Sequence, residues 1–284
     1  MPPTPESTPA SEEDANLPPL SPDEELTWTW GAPDNPLDQD PIVLGLFQNP
    51  ADYASALTQV GAAFPYLASW IEHGKKDPGC ILERPLFGAC VDNAPGMQEW
   101  NPDNEIVHRA AQLAMRRRFG QQPVWVGLGV GWNVEFDVLK SIYCFPWRNS
   151  FVSVHEHSGW EANLRRLFTK REKQPLLIDD LVACRRGSFD FDQTAIAAGT
   201  VHFIALAHPE ALPKLMMELH LLREKLGRVS TDGGKTWTLA PEFDVPPSEQ
   251  KAAIERVVAS EFFEQAATYF RTGKKPQRQT TKRT

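Results

Sequence analysis

The charges of this chain are segregated along its length, and that segregation confines where a folded core can lie. No Lys or Arg precedes Lys75, while the residues before it carry twelve Asp and Glu. The last fourteen residues, RTGKKPQRQTTKRT, carry six basic side chains and no acidic one. Between these ends the balance is near neutral, 23 basic against 25 acidic residues. Residues 1–26 combine Pro, Ser, Thr, Glu and Asp with few bulky apolar groups. Such a segment cannot bury enough surface to offset its ordering entropy, so a disordered acidic tail is expected there. Residues 271–284 are expected to be a disordered basic tail, able to meet polyanions although the net charge is −8.

Hydrophobic periodicity divides the remainder. Trp28 and Trp30 alternate with threonine in an arm that needs a surface to dock on, and residues 27–120 otherwise read as mainly helical. NPADYASALTQVGAAFPYLASWIEHG predicts a helix over 51–73, interrupted near Pro65, with Pro50 as its first residue. ERPLFGACV predicts a short strand. Residues 103–119 predict a second helix, with Ile106, Ala110, Leu113 and Ala114 inward and Gly120 as its stop.

After Pro123 the period shortens to two. VWVGLGVGWNVEFDVL predicts a strand with Val134, Phe136 and Val138 inward and Asn133, Glu135 and Asp137 in water. The glycines at 127, 129 and 131 then allow close backbone approach. Further strands are expected at NSFVSVHEH, LLIDDLVAC and GTVHFIALA, with helices over 159–172 and 208–227. In the last of these, His208 and Pro209 stand at N-cap and N1. RVSTDGGKTWTL predicts a hairpin, and Ser248 caps a final helix to about residue 270. The fold class is therefore α+β: a helical N-terminal part packed on a mixed or antiparallel sheet (residues 121–246), plus the C-terminal helix at 247–270. The element order over 150–231 matches a ferredoxin-like βαββαβ unit.

Several function classes drop out. No run reaches the roughly 18 apolar residues needed to cross a bilayer, so no membrane partner is expected. The N-terminus lacks a secretory n-region and h-region, which points to a cytoplasmic protein. Cys80, Cys90, Cys144 and Cys184 have no CxxC spacing, so neither a zinc ribbon nor a disulfide framework follows. No H-E-x-x-H, G-x-S-x-G or P-loop occurs. No metal and no cofactor are expected.

Two constellations remain. His155 and His157, two apart on a strand, share a face and could serve as an acid or base in a phosphodiesterase. Asp179, Asp180, Asp190, Asp192, Glu135, Asp137 and His202 could add metal ligands, although half-buried strands place such carboxylates in water without any function. His202, in an apolar run, reads as a satisfied core histidine. The second constellation is basic: Arg165, Arg166, Lys170 and Lys173 on one helix face, Arg116, Arg117 and Arg118 ending another, and Lys274 and Lys275 opening the tail. Cations beside aromatics suit single-stranded RNA or DNA, although cations at a helix C-terminus also complement its dipole without a ligand. The leading expectation is a nucleic-acid-binding accessory protein. The alternative is a scaffold that docks a protein partner through Trp28 and Trp30, and the His155/His157 enzyme ranks third.

Overall fold

The computed structural model describes residues 41–82, 85–94, 100–142, 164–165, 167, 178–185, 191–230, 236–240 and 243–274. All of them lie in one unit, Pro36–Thr284. The chain is α+β, with a small mixed sheet against a larger body of helices.

Strand β1 (Val43–Phe47) leads into α1 (Pro50–Ala63). Asn49 caps that helix, its Oδ1 accepting from Asp52 N at 3.0 Å, and Pro50 occupies N1 as expected. Pro65 starts a single 3-10 turn, after which α2 (Ala68–Gly74) resumes. Strands β2 (Gly79–Leu82) and β3 (Phe87–Val91) complete a three-stranded sheet in the order β1-β3-β2. β3 runs parallel to β1 (Val43 opposite Phe87) and antiparallel to β2 (Gly79 opposite Cys90). Side chains alternate across the sheet. Cys80, Leu82, Ala89 and Val91 pack with Tyr53, Leu57 and Ile71 of α1 and α2, while Ile81 packs with Leu113 on the opposite face.

Leu113 belongs to α3 (Pro102–Phe119), which begins at the Asn101 cap and ends at Gly120 with φ 65°. α3 lies between the sheet and α4 (Val124–Leu139). Here the expected strand does not form: residues 124–139 are helical, and the alternation of an inward and a wet face is lost. Glu135 is buried, whereas Val134 and Val138 are exposed. The physical reason is burial on two sides, because α4 packs on α3 and on α6 (Phe191–Ala207). On a helix, Gly127 and Gly131 are one turn apart and face α3, while Gly129 turns the other way, toward Val201 of α6. The close approach expected of these glycines occurs, but between helices.

α6 is the second correction. GTVHFIALA lies inside it and is not a strand. Buried around nearly its whole circumference, α6 carries no polar stripe to reveal its period. LLIDDLVAC falls partly outside the described residues, and its Ile178–Val182 portion is a short helix, α5. Two of the four strands of the βαββαβ order are thus absent, and that order does not hold. NSFVSVHEH lies outside the described residues. Of the helix expected at 159–172, Leu164, Arg165 and Leu167 are described, all helical, with both leucines buried.

α7 (Ala211–Leu226) confirms the clearest helix of the sequence and ends at Gly227. It starts later than expected: Glu210, not His208, is the N-cap, and Ala211 N donates to His208 O at 2.8 Å across the preceding turn. The hairpin forms from β4 (Arg228–Val229) and β5 (Thr238–Leu239). The final helix is two: α8 (Pro247–Val257), with Pro246 and not Ser248 as its N-cap, and α9 (Phe262–Thr272). The break near Val258 lets Phe262 and Phe270 lie against Phe203 of α6, with ring centroids 5.6 and 6.5 Å away. No described helix is long and apolar enough to cross a membrane.

Candidate functional site

An amphipathic helix normally turns its apolar stripe to the core. α3 buries a polar one as well as Leu113, Met115 and Phe119. Asn104, Glu105, His108 and Gln112 are buried, while Ala114, expected inward, is exposed. Asn104, His108 and Gln112 recur every four residues and so share one face, the face toward α4.

Buried polar groups must find partners, and these find each other. Asn104 Nδ2 donates to Glu135 Oε1 at 2.7 Å and to the Ser141 carbonyl and hydroxyl, both at 3.1 Å. His108 Nδ1 lies 3.2 Å from Glu135 Oε2, so the tautomer carrying a proton on Nδ1 donates to that oxygen. The imidazole lies over Gly131, where a Cβ would come within 2.8 Å of Nδ1, and meets Trp132 edge-on. On the sheet side, Glu105 Oε1 accepts from Arg109 Nε at 2.8 Å. Arg109 Nη1 donates to Gln112 Oε1 at 3.1 Å, and Gln112 Nε2 donates to the Gly127 carbonyl at 3.3 Å. Gly79 of β2 sits so close to Glu105 that a methyl group there would run into its carboxylate. Next to it, burial pushes the Cys80 thiol above its ordinary pKa, opposed by a hydrogen bond with Tyr53 and by the charge of Arg109.

The spacing has a chemical meaning. In the H-E-x-x-H arrangement, two histidines on one helix face hold zinc and the glutamate between them is the general base. A glutamate from another element completes a His2Glu ligand set in some zinc enzymes. α3 carries Asn104-Glu105-x-x-His108, and α4 brings Glu135 to it. The first histidine of the arrangement is replaced by asparagine. Among the described residues no three His, Cys, Asp or Glu side chains gather as a metal site.

The other described candidates do not gather with this cluster. His155, His157, Arg166, Lys170, Lys173, Lys275, Trp28, Trp30 and Asp190 lie outside the described residues. Asp137 is exposed, and exposed Asp179 is 4.0 Å from Lys251 Nζ. His202 Nδ1 meets Asn133 Oδ1 at 3.0 Å, the satisfied histidine expected. Arg116, Arg117 and Arg118 end α3, where they complement its dipole. Arg165 is exposed and reaches the end of α9. A Cβ on Gly273 would lie 3.1 Å from its Nη2, next to exposed Arg271 and Lys274.

The α3–α4 cluster was missed because Glu135 read as a strand residue beside Asp137. The available signal was the recurrence of Asn104, His108 and Gln112 at helical spacing. No protein family, curated protein or solved structure matches the chain.

Proposed function

We propose that the protein works by binding and not by hydrolysis, on a frame whose α3–α4 pair keeps the ligand spacing of zinc hydrolases. One observation carries this: Glu105, at the position of the general base, is wholly buried and holds Arg109 while Gly79 closes over it. A general base must come within hydrogen-bond reach of the proton it takes, directly or through one water. Glu105 is committed to a guanidinium instead. The expected result is no turnover of fluorescein-labelled casein above the blank, with or without added zinc. Turnover that Glu105→Gln abolishes would overturn the reading.

The ligand class that fits is single-stranded nucleic acid. What supports it is the position of Arg165 beside Gly273, which joins the basic helix of the sequence to the start of the basic tail. Anisotropy of labelled single-stranded RNA, single-stranded DNA and duplex DNA, titrated at several salt concentrations, tests it. Affinity should fall log-linearly with salt, by about 0.7 in slope per phosphate contact on a single strand. Arg165→Ala with Lys274→Ala should reduce that slope by about 1.4 on the same rule. Absence of binding at low salt discards this ligand. Partner capture that survives high salt and fails in Trp28→Ala with Trp30→Ala would favour the scaffold alternative.

A further inference from the structure

The Asn104 amide has two faces, and its surroundings fix which one meets Glu135. Nδ2 has the Ser141 carbonyl on one side and the Glu135 carboxylate on the other, and both groups only accept. Turning the amide over would set Oδ1 against both acceptors. The Ser141 hydroxyl, which can donate or accept, serves either orientation, with its Oγ 3.1 Å from Nδ2 and 3.4 Å from Oδ1, so the two acceptors decide. Asn104 therefore presents to Glu135 a hydrogen-bond donor and no lone pair. His108 offers a second donor to the other carboxylate oxygen. Both oxygens of Glu135 are held by N–H groups, in the place where a His2Glu set would hold a cation.

We propose that Asn104 closes a zinc-ligand set by hydrogen bonding, so that the native protein binds no zinc at His108 and Glu135, and that one substitution at residue 104 opens the site. The inference rests on the hydrolase-spacing reading above and extends it to the metal. Its chemistry is a substitution of roles. Zinc neutralises a ligating carboxylate and takes lone pairs from imidazole. Here two N–H donors satisfy that carboxylate, and the cluster is complete without an ion. Asn104→His supplies the missing imidazole at the first position. Asn104→Asp supplies a carboxylate of the same size as the amide, and its oxygen faces Glu135 at the 2.7 Å now spanned by the amide N–H, where a shared proton or a cation must offset the paired charge.

The test is zinc content after dialysis against micromolar zinc, by native mass spectrometry, with thermal melting in zinc and in chelator. Native protein should retain no zinc that depends on Glu135, judged against Glu135→Gln. Asn104→Asp and Asn104→His should each retain about one zinc per chain, with melting temperatures raised by zinc. Glu135→Gln added to Asn104→Asp should remove both effects. Glu135-dependent zinc in the native protein would overturn the closure while leaving the ligand-spacing reading intact. Failure of both variants to bind, with circular dichroism showing them folded, would sink that reading too. If Asn104→His fails to fold, the same-size Asn104→Asp and the native protein still decide the matter.

Discussion

Glu135→Ala should lower stability by about 1–3 kcal/mol, the usual cost of leaving a buried donor without its acceptor. The alanine removes the 2.7 Å acceptor of Asn104 Nδ2, which keeps its longer bonds to Ser141, and leaves His108 Nδ1 facing a void, both at positions closed to water. An orphaned buried donor costs more than its hydrogen bond had contributed. Urea denaturation checks this: the midpoint should fall while the slope with denaturant stays constant. Asp137→Ala, two residues on and exposed, should change stability by no more than about 0.5 kcal/mol. The contrast is informative because Glu135 and Asp137 share one wet face if the segment is a strand, and both substitutions would then be mild. Asn104→Ala should be costly alone, and the double variant Asn104→Ala with Glu135→Ala should cost less than the sum. The shortfall of about 0.5–3 kcal/mol is the coupling expected of groups in one network.

The elements legible in the sequence are those with one wet face and one dry face. α1 and α7 show a helical stripe with proline or glycine at their ends, and the hairpin carries its Asp232-Gly233-Gly234 turn signal. α4 and α6 are buried on more than one side, so no polar face marks the turn. Their small and β-branched residues then read as strands, because a short apolar run does not distinguish the two periods.

The site was hidden for a related reason. A stripe of Asn104, His108 and Gln112 reads as the solvent face of α3 by ordinary patterning, since polar residues seldom face inward. It becomes a core face only when Glu135, twenty-seven residues beyond His108, is placed opposite. That placement required α4 to be a helix. The period of one segment therefore hides both the helix and the cluster. The basic candidates fared differently. Arg165 stands out in sequence as a helical face, but its position beside Gly273 is a tertiary fact that no local pattern encodes.

The three glycines of α4 should respond to alanine in opposite senses, although each gains up to about 1 kcal/mol of helix propensity. At Gly129 the added methyl meets the Ala197 carbonyl oxygen at 2.7 Å, and the Val201 side chain lies closer still. A backbone carbonyl in a neighbouring helix cannot rotate away, so α4 and α6 must separate. Overpacking of this kind costs about 1–3 kcal/mol or more, and a net loss is expected. At roughly 2–4 °C per kcal/mol for a chain of this size, thermal melting should register it. Gly131→Ala presses on the His108 ring, whose atoms lie 2.6–2.8 Å from the new methyl. The ring cannot withdraw while Glu135 holds Nδ1, so the cost should shrink when Glu135 is also removed. Gly127→Ala meets only the Met115 terminal methyl at 3.7 Å, an ordinary contact on a flexible side chain. There the propensity gain is unopposed, and stability should rise. On a strand the three positions would share one face, and three losses of like sign would result. A rise at 127 beside falls at 129 and 131 is the signature of a helix held between two others, and it is what allows His108 and Glu135 to meet.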